Sequence, residues 1–405
     1  MIKDEEKQSG TLTRRTSMAD YLSPQVRGIK PSGIRRFFDL ASGRKDIITL
    51  GVGEPDFVTP WHVREACVYA LEMGKTQYTS NAGTPELREE IGIYMDREFD
   101  VAYNPANEIL VTVGGSEAID LALRALISPG DEILVPEPCY ISYSPITALS
   151  GGVPVGVETF AKDQFKLTAE SLRAAITPRS KVLILCYPSN PTGGIMTYED
   201  WLPIAKVVEE NDLIVISDEI YAELTYGSKH VSFPSMPGMK DRTILVSGFS
   251  KSFAMTGWRI GYACGHSELI SAMLKIHQYT VMCASNMSQV AALEALRNGM
   301  DEKNRMVESY NQRRRLVVQG FRDIGLQCHE PQGAFYAFPS IAGLGLTSEE
   351  FATGLLNDQK VAAVPGDVFG LGGEGHLRCS YATSVNQITE AIERIGIYVR
   401  KLKGN

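Results

Sequence analysis

The sequence predicts an α/β fold. Its large part is a mostly parallel, seven-stranded sheet covered by helices, and a smaller α+β part is assembled from both termini. Three observations carry that expectation. Runs rich in Val, Ile and Leu recur seven times between Asn107 and Gly265, with little polar alternation, as strands buried on both faces require. Longer amphipathic stretches separate them, the rhythm of β-α-β units. Outside this region the pattern breaks into short segments punctuated by Pro and Gly.

Along the chain, strands are expected within 108–115 (EILVTVGG), 131–138 (DEILVPEP), 153–158 (VPVGVE), 181–189 (KVLILCYPS), 213–219 (LIVISDE), 243–250 (TILVSGFS) and 260–265 (IGYACG). Helices are expected at SEAIDLALRALIS, at YEDWLPIAKVVEEN and across 285–322. The tail, LQCHEPQGAFYAFPSI (326–341) and KVAAVPGDVFG to HLRCSYA, has an α+β character. The expected division is a large domain at 61–297 and a small domain from 1–60 and 298–405, with an N-terminal arm.

Bulk properties narrow the function. A chain of 405 residues, 44% hydrophobic and 22% charged, can bury a full core without disulfides. A net charge of −8 argues against a nucleic-acid surface. The seven cysteines are scattered without a CxxC pair, and the six histidines form no HExxH, so free thiols in a reducing compartment and no metal site are expected. The N-terminal residues lack an apolar signal region, and no run approaches the ~18 apolar residues of a membrane span. A cytoplasmic protein is expected.

Parallel sheets bind ligands beyond the carboxyl ends of their strands, so the residues after each run matter most. Gly114, Gly115, Ser116 and Glu117 lie at a strand-to-helix junction, which suits either an anion or a capped tight turn. Asn190, in NPTGG, could face a ligand or belong to an ordinary turn. Asp218 closes a buried strand, where a carboxylate needs a cation or several donors. It and Tyr221 could instead cap and pack. Lys251 has flanks, GFS and SFAMTGW, that leave little surface to solvate it. A desolvated lysine has a lowered pKa and becomes a nucleophile. Arg259 supplies a fork suited to phosphate, with Ser247 and Ser250 as hydroxyl donors. An anion cradle, an amine, a carboxylate for a ring cation and an arginine at one sheet edge are what pyridoxal phosphate requires.

SGFSKSFAMTGWRIG (247–261), NPTGG, SDEIYAEL and VTVGGSEAID resemble, in order and spacing, the signatures of the class I/II aminotransferases, fold-type I pyridoxal-phosphate enzymes. The resemblance runs from about Pro31 to Tyr398 and is nearest to bacterial aminotransferase A-like enzymes. It makes the large domain the cofactor-binding one. It implies that Lys251 bonds the cofactor and shuttles the substrate proton, that Asp218 meets the pyridine nitrogen, and that Asn190 and Tyr221 bond the phenolic oxygen. Gly115, Ser116, Glu117, Ser250 and Arg259, with Ser247 as a further candidate, would hold the phosphate, and Tyr140 would stack on the ring. Arg378 would grip the substrate α-carboxylate, with Asn190 and the Gly53 backbone beside it. Tyr78 would reach the phosphate of a neighbouring subunit, implying a homodimer with shared sites.

Two departures stand out. Gly248 replaces a serine found in several members, and VMCASNMSQV contains no arginine of the kind one aspartate-specific subgroup uses for its side-chain carboxylate. Lys30, Arg35 and Arg36 could reach an acidic substrate, and Phe37 and Phe38 an apolar one, although each equally suits a structural role. The implied reaction is ping-pong transfer of an amino group to a keto acid such as 2-oxoglutarate. The donor would be aspartate, an aromatic amino acid or N-acetyl-LL-diaminopimelate. A β-lyase or an aminocyclopropane-carboxylate-type synthase shares the lysine motif and stays open. A cofactor-binding regulator does not fit, because the ~30 residues before the resemblance are too few for a helix-turn-helix module. A nicotinamide dehydrogenase would need a GxGxxG opening a helix after the first strand.

Overall fold

The computed structural model describes residues 17–29, 31, 33, 44 and 46–404. Lys30, Arg35, Arg36, Phe37 and Phe38 lie outside the described residues. The chain divides into two units at Pro31/Ser32. The first holds a 3₁₀ turn, Met18–Tyr21, and a short helix α1 (Pro24–Gly28), whose N-cap Ser23 accepts the Val26 N–H at 3.3 Å.

The second unit is built on seven strands, all within the expected runs or one residue beyond: β2 (Ile109–Thr112), β3 (Glu132–Glu137), β4 (Val153–Glu158), β5 (Ser180–Cys186), β6 (Ile214–Asp218), β7 (Thr243–Gly248) and β8 (Gly261–Cys264). Their order is β2-β8-β7-β6-β5-β3-β4. The β3–β4, β3–β5, β5–β6 and β6–β7 pairs are parallel, and β8 runs antiparallel to both β2 and β7.

The pleat explains the unbroken apolar runs. On β5, Val182 and Ile184 face a layer formed with α4 (Gly115–Leu126) and α8 (Ser267–Thr280). Leu183 and Leu185 face the opposite layer with Trp201, Ile204, Val207 and Val208 of α7 (Tyr198–Glu210). Both faces are covered, so neither can be polar. Thr197 and Asp200 start α7 reciprocally, each side chain accepting the other's backbone N–H at 3.2 and 2.9 Å. The helical stretch expected over 285–322 consists of two helices, α9 (Asn286–Asn298) and α10 (Met300–Asp323), separated at Gly299.

The tail forms a three-stranded antiparallel sheet, β11 (Val364–Pro365), β12 (Leu377–Ser380) and β9 (Tyr336–Ala337). Around it pack α10, α11 (Ser348–Gln359) and α12 (Val385–Leu402), and their shared core extends to Tyr221 and Leu224 past the end of β6. The early strand β1 (Ile48–Thr49) pairs with β10 (Val361–Ala362), which brings Leu50 to Gly53 alongside the tail sheet. The Leu50 carbonyl accepts the Ser380 N–H at 2.6 Å. No helix among the described residues is long and apolar enough to cross a membrane.

Candidate active site

Cα pairing of Cys186 with Asp218 and of Asp218 with Val246 aligns the carboxyl ends of β5, β6 and β7. Asn190 follows the first, Asp218 closes the second, and Ser250 and Lys251 follow the third. They meet in one crevice at the edge where parallel sheets bind ligands.

Lys251 keeps part of its surface, but its amine lies deep. Nζ donates to the Gly53 carbonyl at 2.6 Å and stands 5.9 Å from the ring centres of Tyr221 and Phe335. Burial pulls its pKa down to about 8; Glu54 opposes the shift, and Arg378 and Arg259 reinforce it. Roughly a tenth of such an amine is neutral at pH 7, several hundred times more than for an ordinary lysine.

Asp218 is 6% exposed. Tyr143 Oη donates to its Oδ2 at 2.7 Å, and the Ile220 N–H donates to its Oδ1 at 3.2 Å. Burial nevertheless raises its pKa to about 6, against the pull of those two donors. A buried carboxylate held by neutral donors is suited to meet a cationic atom.

The anion cradle forms where β2 hands over to α4. Gly114 makes the turn at φ 80°, a left-handed conformation that favours glycine. A Cβ there would stand 2.8 Å from Arg259 Nη2, so the guanidinium lies against the start of the helix. The first N–H groups of a helix have no intrahelical acceptor. Together with Arg259 they could hold a phosphate.

One expected contributor to that cradle, Ser247, is corrected by the geometry, and another, Glu117, is limited to its backbone. The Glu117 carboxylate turns back, accepting the Val113 N–H at 2.5 Å and meeting His277 Nδ1 at 2.9 Å, so only the Glu117 backbone is available to an anion. Ser247 points to the wrong face of β7. Its neighbour Val246 faces α4, 3.4 Å from where a Gly115 Cβ would lie, whereas Ser247 Oγ donates to the Glu219 carbonyl at 3.4 Å beside Tyr262. Ser116 is the second residue of α4, and Ser250 lies two residues past the carboxyl end of β7.

At the other end of the crevice Arg378 is 2% exposed, with its guanidinium 4.6 Å from the Tyr336 ring centre and 5.0 Å from that of Phe369. Nη1 donates to Asn190 Oδ1 at 3.0 Å and Nη2 to the Gly51 carbonyl at 2.6 Å, while the buried Nε has no partner among the described residues. Arg378 thus bridges Asn190 and Gly51, and Lys251 reaches Gly53 two residues further along the same segment. Tyr221 has its ring beside Lys251 and its hydroxyl 2.9 Å from that of Tyr336. Tyr140 is half-buried, its ring edge-on to Tyr143 at 5.6 Å. Tyr78 is 80% exposed, between α2 (Trp61–Glu72) and α3 (Pro85–Phe99), and makes none of these contacts.

Sequence reasoning passed over Tyr143, Tyr336 and Phe369. The usable signal was modest: a tyrosine in an apolar run needs a partner for its hydroxyl when buried, and Tyr336 lies in the GAFYAFP run.

The donor set fits pyridoxal phosphate: an amine, a buried acid for a ring cation, and a glycine turn against Arg259 that a Cβ would fill. Comparison with known proteins agrees. Residues 45–395 match the family described as Aminotransferase class I and II. The chain is 54% identical to a Bacillus subtilis protein named "Putative aminotransferase YugH", over 95% of this chain and 100% of that one. It is 44% identical to a Bacillus subtilis protein named "Probable N-acetyl-LL-diaminopimelate aminotransferase", covering 95% of this chain and 97% of that one. Among solved structures, Thermus thermophilus aspartate aminotransferase with maleate superposes with a TM-score of 0.89 at 39% identity, covering 93% and 99% of the two chains. On these grounds the chain belongs to the class I and II aminotransferases, transferases of the EC 2.6.1 class that depend on pyridoxal phosphate.

Proposed function

We propose that this aminotransferase runs a ping-pong reaction in which an α-amino acid gives up its amino group and a keto acid, 2-oxoglutarate in the first instance, receives it. The observation that carries the reading is the crevice in which a buried amine, a buried carboxylate and a buried guanidinium with an unpaired N–H converge. Bound pyridoxal phosphate supplies an aldehyde that takes up amines and a ring that accepts the electrons of a breaking Cα–H bond.

The chain's own residues do the rest. Arg259, Ser250 and the backbone N–H groups of Gly115, Ser116 and Glu117 hold the phosphate. Asp218, fixed by Tyr143, keeps a proton at the pyridine nitrogen. Asn190 and Tyr221 bond the phenolic oxygen, and Tyr140 covers the ring face. Lys251 bonds the cofactor covalently and, when displaced, carries a proton at Nζ between the substrate α-carbon and the cofactor. Arg378 binds the α-carboxylate, its planar fork oriented by Asn190 and the Gly51 carbonyl, with the Gly53 backbone at the same wall.

The donor classes that the relatives suggest are aspartate and N-acetyl-LL-diaminopimelate, with aromatic amino acids as the third candidate. The division at 61–297 is proposed with this reading, as is a homodimer in which the exposed Tyr78 serves the neighbouring phosphate. A cytoplasmic location is supported by seven free cysteines.

The test is a half-reaction. Each amino acid is supplied without keto acid, while the cofactor's visible absorbance and released keto acid are followed. Stoichiometric keto acid with conversion to the amine form of the cofactor is expected, and the fastest donor identifies the substrate. Sustained release of ammonia or pyruvate with recovery of the absorbance would overturn the reading.

A further inference from the structure

The residue roles proposed above omit Tyr336, although it touches three members of the site. It lies fully buried on β9, paired through Cα with Ser380 of β12, two residues beyond Arg378. Its hydroxyl is 2.9 Å from the Tyr221 hydroxyl, its ring centre is 4.6 Å from the Arg378 guanidinium, and a Cβ added to Gly53 would reach within 3.0 Å of its Oη.

Two phenols sharing one hydrogen bond have two protons between them, and only one proton can lie in that bond. Burial keeps both phenols protonated. Arg378 and Lys251 are the charged groups facing the pair; Cys186 and Tyr140 are the other titratable ones. The Arg378 guanidinium stands 4.6 Å from the Tyr336 ring centre, closer than Lys251 stands to that of Tyr221 at 5.9 Å, and a nearby cation favours loss of the phenol's proton. Tyr336 is therefore the more acidic phenol and the better donor.

We propose that Tyr336 is a positioning residue that donates its proton to the Tyr221 oxygen, leaving the Tyr221 proton to point at the cofactor's phenolic oxygen, while its ring seats the Arg378 guanidinium. The inference rests on the role proposed for Tyr221. A hydroxyl that accepts a bond becomes a stronger donor. Tyr336 thereby strengthens the one donor that Tyr221 can offer.

The experiment titrates the visible absorbance of the cofactor–lysine chromophore in the holoenzyme against pH. Tyr221→Phe should move the midpoint upward, since losing a donor makes the phenolic oxygen and its partner nitrogen more basic. Tyr336→Phe should move it the same way by about half a unit, and should add nothing in the Tyr221→Phe background. KM for the amino acid should stay within about twofold in Tyr336→Phe, which keeps the ring, and rise about tenfold in Tyr336→Leu, which loses it. An unmoved midpoint in Tyr336→Phe beside a shifted one in Tyr221→Phe would overturn the inference alone, as would an equal shift in both backgrounds. An unmoved midpoint in Tyr221→Phe itself would sink the role proposed for Tyr221, and the inference with it.

Discussion

At one end of the crevice Arg259 lies against Gly114, within a sheet whose strands sit side by side and within a local stretch that also supplies Lys251. At the other end Arg378 gathers Asn190, Gly51, Tyr336 and Phe369 from segments separated by up to 327 positions. The cofactor end is largely backbone: helix start, glycine turn and strand edge, the strands themselves covered by apolar layers on both faces. The substrate end is a meeting of side chains from three parts of the chain, held by hydrogen bonds and ring contacts. A change at the first should alter what the cofactor experiences. A change to Arg378 at the second should alter how substrate is gripped while the cofactor stays in place, whereas Asn190 and Tyr336, in their proposed roles, also bear on the cofactor's phenolic oxygen.

Asp218→Asn tests the cofactor end with the largest expected effect. It removes the group proposed to keep the pyridine nitrogen protonated, and activity should fall on the order of 10³-fold, as when a key electrostatic stabiliser is lost. The same change should stabilise the cofactor-free protein. The folded-state pKa of Asp218 is raised to about 6 from an ordinary 3.8, so the folded state binds its proton more tightly than the unfolded state does. Folding stability from this group is complete below about pH 4, falls as pH rises towards 6, and stays lost above that. The cost at pH 7.5 is about 3 kcal/mol on this reckoning. Asp218→Asn apoprotein should therefore melt higher than wild type at pH 7.5 and converge with it at pH 4. Denaturation curves at the two pH values check this, and an unchanged melting temperature at pH 7.5 would contradict the burial argument.

Arg378→Lys tests the substrate end. An ammonium cannot bond Asn190, the Gly51 carbonyl and a carboxylate in one plane. KM for amino acid and keto acid alike should rise about 10- to 100-fold, while cofactor affinity and the visible spectrum stay as in wild type. Measuring both quantities on the same preparation separates the two ends. A lost or shifted cofactor band would mean that the ends are not independent.

How far each end could be read from sequence follows from the same difference. All seven strands were legible because burial on two faces demands continuous apolar runs, and Lys251, Asp218 and Asn190 were legible because each lies at or just past such a run. The reversed direction of β8 was not, because periodicity carries no polarity. Ser247 was misjudged by proximity to Lys251: the pleat of β7 sends it to the face opposite Val246. Whether Glu117 offers its backbone or its side chain was not legible, because the side chain is taken by Val113 and by His277, which is 160 positions away. Phe369 carries no local mark of its task, and Tyr336 only that of a tyrosine in an apolar run. Their importance arises only when β9 and the loop before β12 fold over Arg378, a contact that residue spacing cannot express.

Glu117 gives the smallest effect and the finest test of the comparison. Its carboxylate bonds the Val113 N–H and His277, so it ties the first turn of α4 to the end of β2 and to α8 without facing the cradle. If the cofactor end is held by backbone, loosening that tie should weaken the cradle even though no ligand contact is removed. Glu117→Ala deletes one charge-assisted bond to a backbone donor and leaves His277, whose side chain is fully buried, without its carboxylate partner. A loss of about 1–2 kcal/mol is expected, seen as an affinity for pyridoxal phosphate about tenfold weaker. Because Arg378, Asn190 and Gly51 are untouched, KM for the amino acid at saturating cofactor should not move. Equilibrium dialysis of the cofactor, paired with steady-state kinetics, reads both. Unaltered cofactor binding would show that the N–H groups of α4 keep their aim without Glu117, and a raised KM would show that the tie reaches the substrate end as well.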